Sequence, residues 1–146
     1  MIKQQKDIPM TFENCICFQL GSLSRKITRC YRDKIAKFNL THSQFFMLMA
    51  VIEFEGSLPS QLAERIDADR PTITGLIDRL ERDGWVERRP VLEDRRALSI
   101  YLSQKAKKHR DAFLSIFREI NGHFMDKFSK KEWKQLQHLL NKLDLK

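Results

Sequence analysis

The sequence of 146 residues holds only five Gly and four Pro, too few for a loop-rich architecture. Its longest apolar run, Phe45 to Ile52, falls far short of the ~20 residues that a bilayer span needs, so no membrane partner is expected. The start, Met1 to Pro9, carries lysines but lacks the apolar stretch and small-residue cleavage site of a secretory signal, and a cytoplasmic location follows as the expectation. Three cysteines, Cys15, Cys17 and Cys30, are too few and too clustered for a disulfide framework, which fits a reducing compartment. Also missing are a nucleophile with a His partner, a Gly-rich phosphate loop, paired carboxylates at a strand end and metal-ligand spacing. No catalytic residue, metal or cofactor is expected, and an enzyme is the weakest reading.

What is present is 42% hydrophobic and 32% charged residues, a globular balance on a chain sized for one domain, residues 1–146. Lys and Arg number 27 against 19 Asp and Glu, a formal net charge of +8. A positive excess points to a polyanion, without separating nucleic acid from a membrane surface or plain solubility.

Apolar residues recur at Phe12, Ile16, Leu20, Leu23, Ile27, Tyr31, Ile35 and Phe38, helical spacing that predicts one long helix over 11–38. At the other end Phe113, Phe117, Ile120, Phe124 and Phe128 form one stripe, and Trp133, Leu136, Leu140 and Leu143 form another. Ser129 and Glu132 between them read as a capping box that starts a new helix. These stripes carry more large aromatics than a monomer of this size needs, so 11–38 and 104–146 are expected to bury one another across a homodimer boundary.

Between the terminal helices, the spacing of Thr41 and Gln44 is that of another capping box, ahead of a helix apolar on all sides and therefore buried. Gly56 is placed to end it in the left-handed conformation. Ser57 as cap and Pro59 in the first turn start a short helix, and Asp69 with Pro71 starts the next, whose buried face is Ile73, Leu76, Ile77 and Leu80. After Asp83 and Gly84 the period changes to two: Trp85–Pro90 and Leu98–Leu102 are strand-like and flank a charged tip.

Two short helices followed by a charged hairpin, over 41–103, make a winged helix-turn-helix in a mostly α chain with a small β-wing. In that arrangement the second short helix enters the major groove of double-stranded DNA. Arg70, Pro71, Thr72, Thr74 and Gly75 stand in its first turns. Thr72 and Thr74 offer hydrogen bonds and a methyl for thymine, Arg70 reaches a guanine edge or a phosphate, and Gly75 permits close backbone approach. Arg79 and Arg88 join them as candidate DNA-binding residues, and Arg95 and Arg96 at the tip suit a narrow minor groove. Over 86–110 there are eight Lys and Arg against three acids, so the charge sits where backbone contacts would fall. The blander reading is that a charge run is a solvated face. A winged helix that docks protein instead of DNA is the other alternative, though such a module has no need of a basic wing.

The stretch from Thr72 through Gly84-Trp85-Val86-Glu87-Arg88 and Asp94-Arg95-Arg96-Ala97 to Leu102-Ser103 resembles the multiple antibiotic resistance regulator (MarR) family of transcription factors. The recognition-helix ending, the Gly-aromatic-Val-Glu-Arg entry to the wing and the Asp-x-Arg tip occur in the family's order. The resemblance implies a homodimer that acts as a repressor on a pseudo-palindromic operator. It also implies that Arg96 enters the minor groove, that Asp94 braces the tip, and that a small aromatic ligand releases the DNA. Pro71 departs from the small polar residue common at its place.

One branch of that family senses peroxide through a cysteine near the start of the first helix, where Cys17 stands here, and Tyr31 matches one of its supporting tyrosines. Gly21 and His42 occupy the positions of two others. The ordinary expectation for free cysteines is a small buried hydrophobe. On a straight helix Cys30 lies ~20 Å from Cys17, too far for an intrachain disulfide. Of the four histidines, His42 is the candidate donor to a ligand pocket.

Overall fold

A computed structural model describes residues 8–144. They fall in two compact units, one ending at His42 and the other beginning at Ser43. The helices are α1 (Ile16–Ala36), α2 (His42–Glu53), α3 (Pro59–Arg65), α4 (Arg70–Arg82), α5 (Gln104–Met125) and α6 (Lys130–Asn141), and β1 (Val86–Pro90) and β2 (Leu98–Leu102) stand between α4 and α5. This is the mostly helical architecture with a small β-wing that the sequence predicts.

In the first unit the single helix expected over 11–38 is shorter and broken. A 3-10 turn over Phe12–Asn14 precedes α1, and Cys15 between them is extended (φ −69°, ψ 117°). Side-chain amides cause the break by taking backbone carbonyls. Asn14 Nδ2 donates to Pro9 O at 2.8 Å and Gln19 Nε2 to Glu13 O at 2.7 Å, local bonds that compete with helix propagation. At the other end Asn39, at φ 55°, turns the chain out of the helix. Tyr31 and Ile35 are buried, whereas Phe12, Ile16, Leu20 and Leu23 are exposed.

The second unit is built on α2. The helix begins directly after Thr41, and Phe45, Met47, Leu48 and Val51 are completely buried. Phe45 meets Phe113 edge-on at 6.0 Å between ring centroids, and Trp85 meets Phe113 at 5.5 Å, so α2, the wing root and α5 share one aromatic centre. Gly56 (φ 85°) ends the α2 segment as expected, and a Cβ there would meet the Tyr101 hydroxyl at 3.1 Å. Ser57 is not the cap of α3. Gly56 N–H donates to Ile100 O and Ile100 N–H to Ser57 O at 2.8 and 2.9 Å, which pairs this loop with β2. The N-cap is Leu58, whose N–H is taken by Gln61 Oε1 at 2.8 Å.

Strands β1 and β2 are antiparallel, with Val86 opposite Leu102 and Pro90 opposite Leu98. Ser103 ties the base of this wing: its hydroxyl donates to Gly84 O at 2.6 Å and accepts from Ala106 N–H at the start of α5. The Ser129–Glu132 box caps α6 reciprocally, as predicted. None of the twelve residues of α6 is buried.

Candidate nucleic-acid interface

Helix α4 follows α3 through a turn that needs one left-handed residue. Asp67 supplies it at φ 52°, and Ala68 N–H returns to Ala63 O at 3.0 Å, the bond that closes a Schellman end. Asp69 then caps α4. Its Oδ1 accepts from Thr72 N–H at 2.8 Å and its Oδ2 from the Thr72 hydroxyl at 2.9 Å. Both bonds favour the charged carboxylate and hold Asp69 below its ordinary range. Ile73, Leu76, Ile77 and Leu80 fasten the helix to the core. Their burial leaves Arg70, Pro71, Thr72, Thr74 and Arg79 exposed on the other side, with Gly75 half-buried among them.

The cap changes what Thr72 can offer. Its hydroxyl proton is committed to Asp69, so toward a ligand it presents lone pairs and a methyl. Thr74 is also exposed, but two residues on it stands about 200° further round the helix. The backbone at Gly75 is open: a Cβ there would find Arg79 Nη2 at 4.0 Å as its nearest neighbour.

At the wing tip, Ala97 N–H returns to Asp94 O at 3.0 Å, and Asp94 Oδ1 accepts from Arg96 N–H at 3.0 Å. Asp94 therefore shapes the turn that carries Arg95 and Arg96, both exposed. Arg89 stacks its guanidinium over Tyr101, 4.5 Å from the ring centroid, and pairs with Glu87 at 2.9 Å.

Arg88 differs from the other arginines with which its sequence position groups it. Nη1 is bonded to Glu81 and Nη2 to Asp78, both on α4, and its side chain is only 20% exposed. Burial opposes its charge, but the bonds from the two carboxylates outweigh that and raise its affinity for the proton. As placed, this guanidinium faces the protein rather than solvent. Glu81 and Asp78 are the residues that sequence reading missed, whereas Asp69 is the cap that the sequence predicts. The i, i+3 acids of α4 give no sign in sequence of their strand partner.

The three cysteines are exposed, contrary to the expectation of buried hydrophobes. Cys17 stands in the first turn of α1, where an exposed thiol meets the positive end of the helix. In the same unit Tyr31 and His42 meet edge-on at 5.9 Å. Burial raises the Tyr31 hydroxyl, aided by Cys30, and burial lowers His42, which keeps its imidazole neutral at neutral pH. Among the described residues no three His, Cys, Asp or Glu side chains gather as metal ligands, and no helix is long and apolar enough to cross a membrane.

Known proteins are similar to this chain in sequence and in fold. The MarR family model matches residues 40–98. The organic hydroperoxide resistance transcriptional regulator of Bacillus subtilis is 30% identical over 131 residues, covering 90% of this chain and 88% of that protein. A probable transcriptional regulator from Pseudomonas aeruginosa superposes with a TM-score of 0.76 at 26% identity, over 92% of this chain and all of that one. The overoxidized AbfR bound to DNA superposes with a TM-score of 0.68 at 26% identity, over 88% of this chain and 91% of that one. With the capped helix pair, the braced basic wing and these likenesses together, the chain belongs to the MarR family of transcriptional regulators.

Proposed function

We propose that the protein is a homodimeric DNA-binding repressor acting on a pseudo-palindromic operator. The observation that carries this reading is the pairing of an exposed polar face on α4 with an exposed Arg95-Arg96 tip whose turn is shaped by Asp94. An α-helix of this length fits the major groove, and paired arginines fit the enhanced negative potential of a narrow minor groove. Dimerisation is supported by α6, a helix with an apolar stripe and no buried residue. A second copy is the cover a C2 regulator would supply, and two winged helices then match two half-sites. Selection of bound duplexes from random oligonucleotides tests this: a two-fold-related motif is expected, and recovery of unrelated sequences overturns it.

For the release signal, the exposure of Cys17 at the start of α1 and the name of the Bacillus subtilis relative favour oxidation by an organic hydroperoxide. The thiol gives up its proton as its sulfur attacks the peroxide, an S–O bond forms as the O–O bond breaks, and the departing alkoxide takes up a proton to leave as the alcohol, with Cys17 now a sulfenic acid. Cys17→Ser should then stay on DNA when peroxide is added. Release unchanged in that variant would favour the second reading, a small aromatic ligand held near Tyr31 and His42, for which their ring contact and the neutral imidazole speak.

A further inference from the structure

The reading of α4 and the wing as DNA-contacting elements leaves one ionic cluster unused, in which the Arg88 side chain is largely covered and its two carboxylate partners are more exposed. Arg88 leaves β1 at the root of the wing and crosses to α4, where Asp78 and Glu81 lie three residues apart on one face. The link is doubled by the main chain, since Arg88 N–H donates to Glu81 Oε1 at 3.2 Å. One rigid guanidinium fork with two carboxylate partners fixes direction as well as distance, which a lysine in the same place would not do. Across the hairpin Arg88 faces Ile100, a completely buried residue that is itself bonded to the Gly56–Ser57 loop. The cluster is thus anchored on one side in the core and on the other in α4.

We propose that Arg88 is a positioning residue that locks the wing to α4, so that the groove-reading helix and the Arg95-Arg96 tip address one duplex at a fixed spacing. This proposal rests on the DNA-binding reading above. It differs from the role that the sequence position of Arg88 implies, because a guanidinium held by two carboxylates is not available to a phosphate. The cluster also carries one more negative than positive charge beside the proposed DNA path. By charge alone, neutralising Asp78 and Glu81 would tighten binding. By positioning, the same change loosens the wing and weakens binding.

The test uses the full chain and a duplex selected by the wild-type protein, with affinity measured by fluorescence anisotropy across a salt series. Arg88→Met should weaken binding about tenfold or more while leaving the slope of log K against log salt unchanged, because no phosphate contact is lost. Arg96→Ala, by contrast, should lower that slope by about one. The Asp78→Asn, Glu81→Gln double variant should also weaken binding, and thermal melting of each variant establishes that it is folded at the assay temperature. A slope that falls by one in Arg88→Met, tighter binding by the double variant, or unchanged affinity in a folded Arg88→Met would each overturn the proposal. If the wild-type protein shows no salt-sensitive, sequence-preferring binding, the DNA-binding reading has failed, and that result is seen before any variant is made.

Discussion

The winged helix-turn-helix and the terminal helices solve the same burial problem differently. In the first, short helices of seven and thirteen residues are fixed by caps and by a shared core: Leu62, Ile73, Ile77, Leu80 and Ile100 are all essentially inaccessible. In the second, α6 has a reciprocal capping box and a clear apolar stripe, yet Leu139 and Leu140 on it and Leu143 just beyond it stay 43–50% exposed. Local signals alone therefore make a helix start, but do not give its apolar face a partner. The contrast is what the proposed division of labour requires, with recognition in the self-contained part and assembly in the part whose surface is left uncovered.

The largest effect should come from breaking the uncovered side. Leu140→Glu with Leu143→Glu is expected to shift sedimentation from dimer to monomer and to reduce operator affinity by about 100-fold, because two linked half-sites become independent. Far-ultraviolet circular dichroism should still report the helices of the winged region. If the pair stays dimeric, the apolar stripe of α6 is not the contact.

On the self-contained side, Arg96→Ala removes an exposed side chain and leaves the Asp94 bond to the Arg96 main chain possible. Binding should fall about tenfold with a smaller salt slope, and the melting temperature should not move. An unchanged salt slope would remove Arg96 from the contact surface.

A smaller change tests how closely DNA approaches α4. Gly75→Ala meets nothing nearer than Arg79 Nη2 at 4.0 Å, so the free protein should gain up to about 1 kcal/mol from helix propensity. If binding weakens while melting rises, the lost space was used by DNA. If both improve, the backbone at Gly75 does not touch the groove.

The smallest effect is acid titration of the α4 cap. Asp69 titrates below its ordinary value in the folded protein, so its contribution is complete above the unfolded carboxylate value of ~3.9 and is lost as pH falls through the folded value. Melting of the wild type should therefore lose its advantage over Asp69→Ala as the pH drops below ~4. A difference that is flat with pH would mean that the charge on the cap adds nothing.

Much of this division was legible in the chain. The box residues Ser129 and Glu132, the cap Asp69, the αL glycine Gly56 and the period-two wing each announce themselves because their physics is local. What was not legible was of two kinds. At Ser57 and at the start of α1, a local preference lost to a competing bond: the Ser57 carbonyl pairs with β2, and Asn14 takes the carbonyl of Pro9. With the cysteines, expected as buried and found exposed, and with the partners of Arg88, the missing information concerned surroundings. Ten residues separate Arg88 from Asp78, and only the fold of β1 against α4 brings that guanidinium to the carboxylate. The exposure of Cys17 likewise follows from where the helix begins, which apolar spacing does not specify.

The central claim is that two copies of this chain read one two-fold-related duplex. Sedimentation of the protein with its selected duplex, at salt concentrations that suppress binding to random DNA, measures this directly. Two chains per duplex, with affinity falling steeply with salt and lost when one half-site is scrambled, is the predicted result. One chain per duplex, or equal affinity for the scrambled duplex, would contradict it.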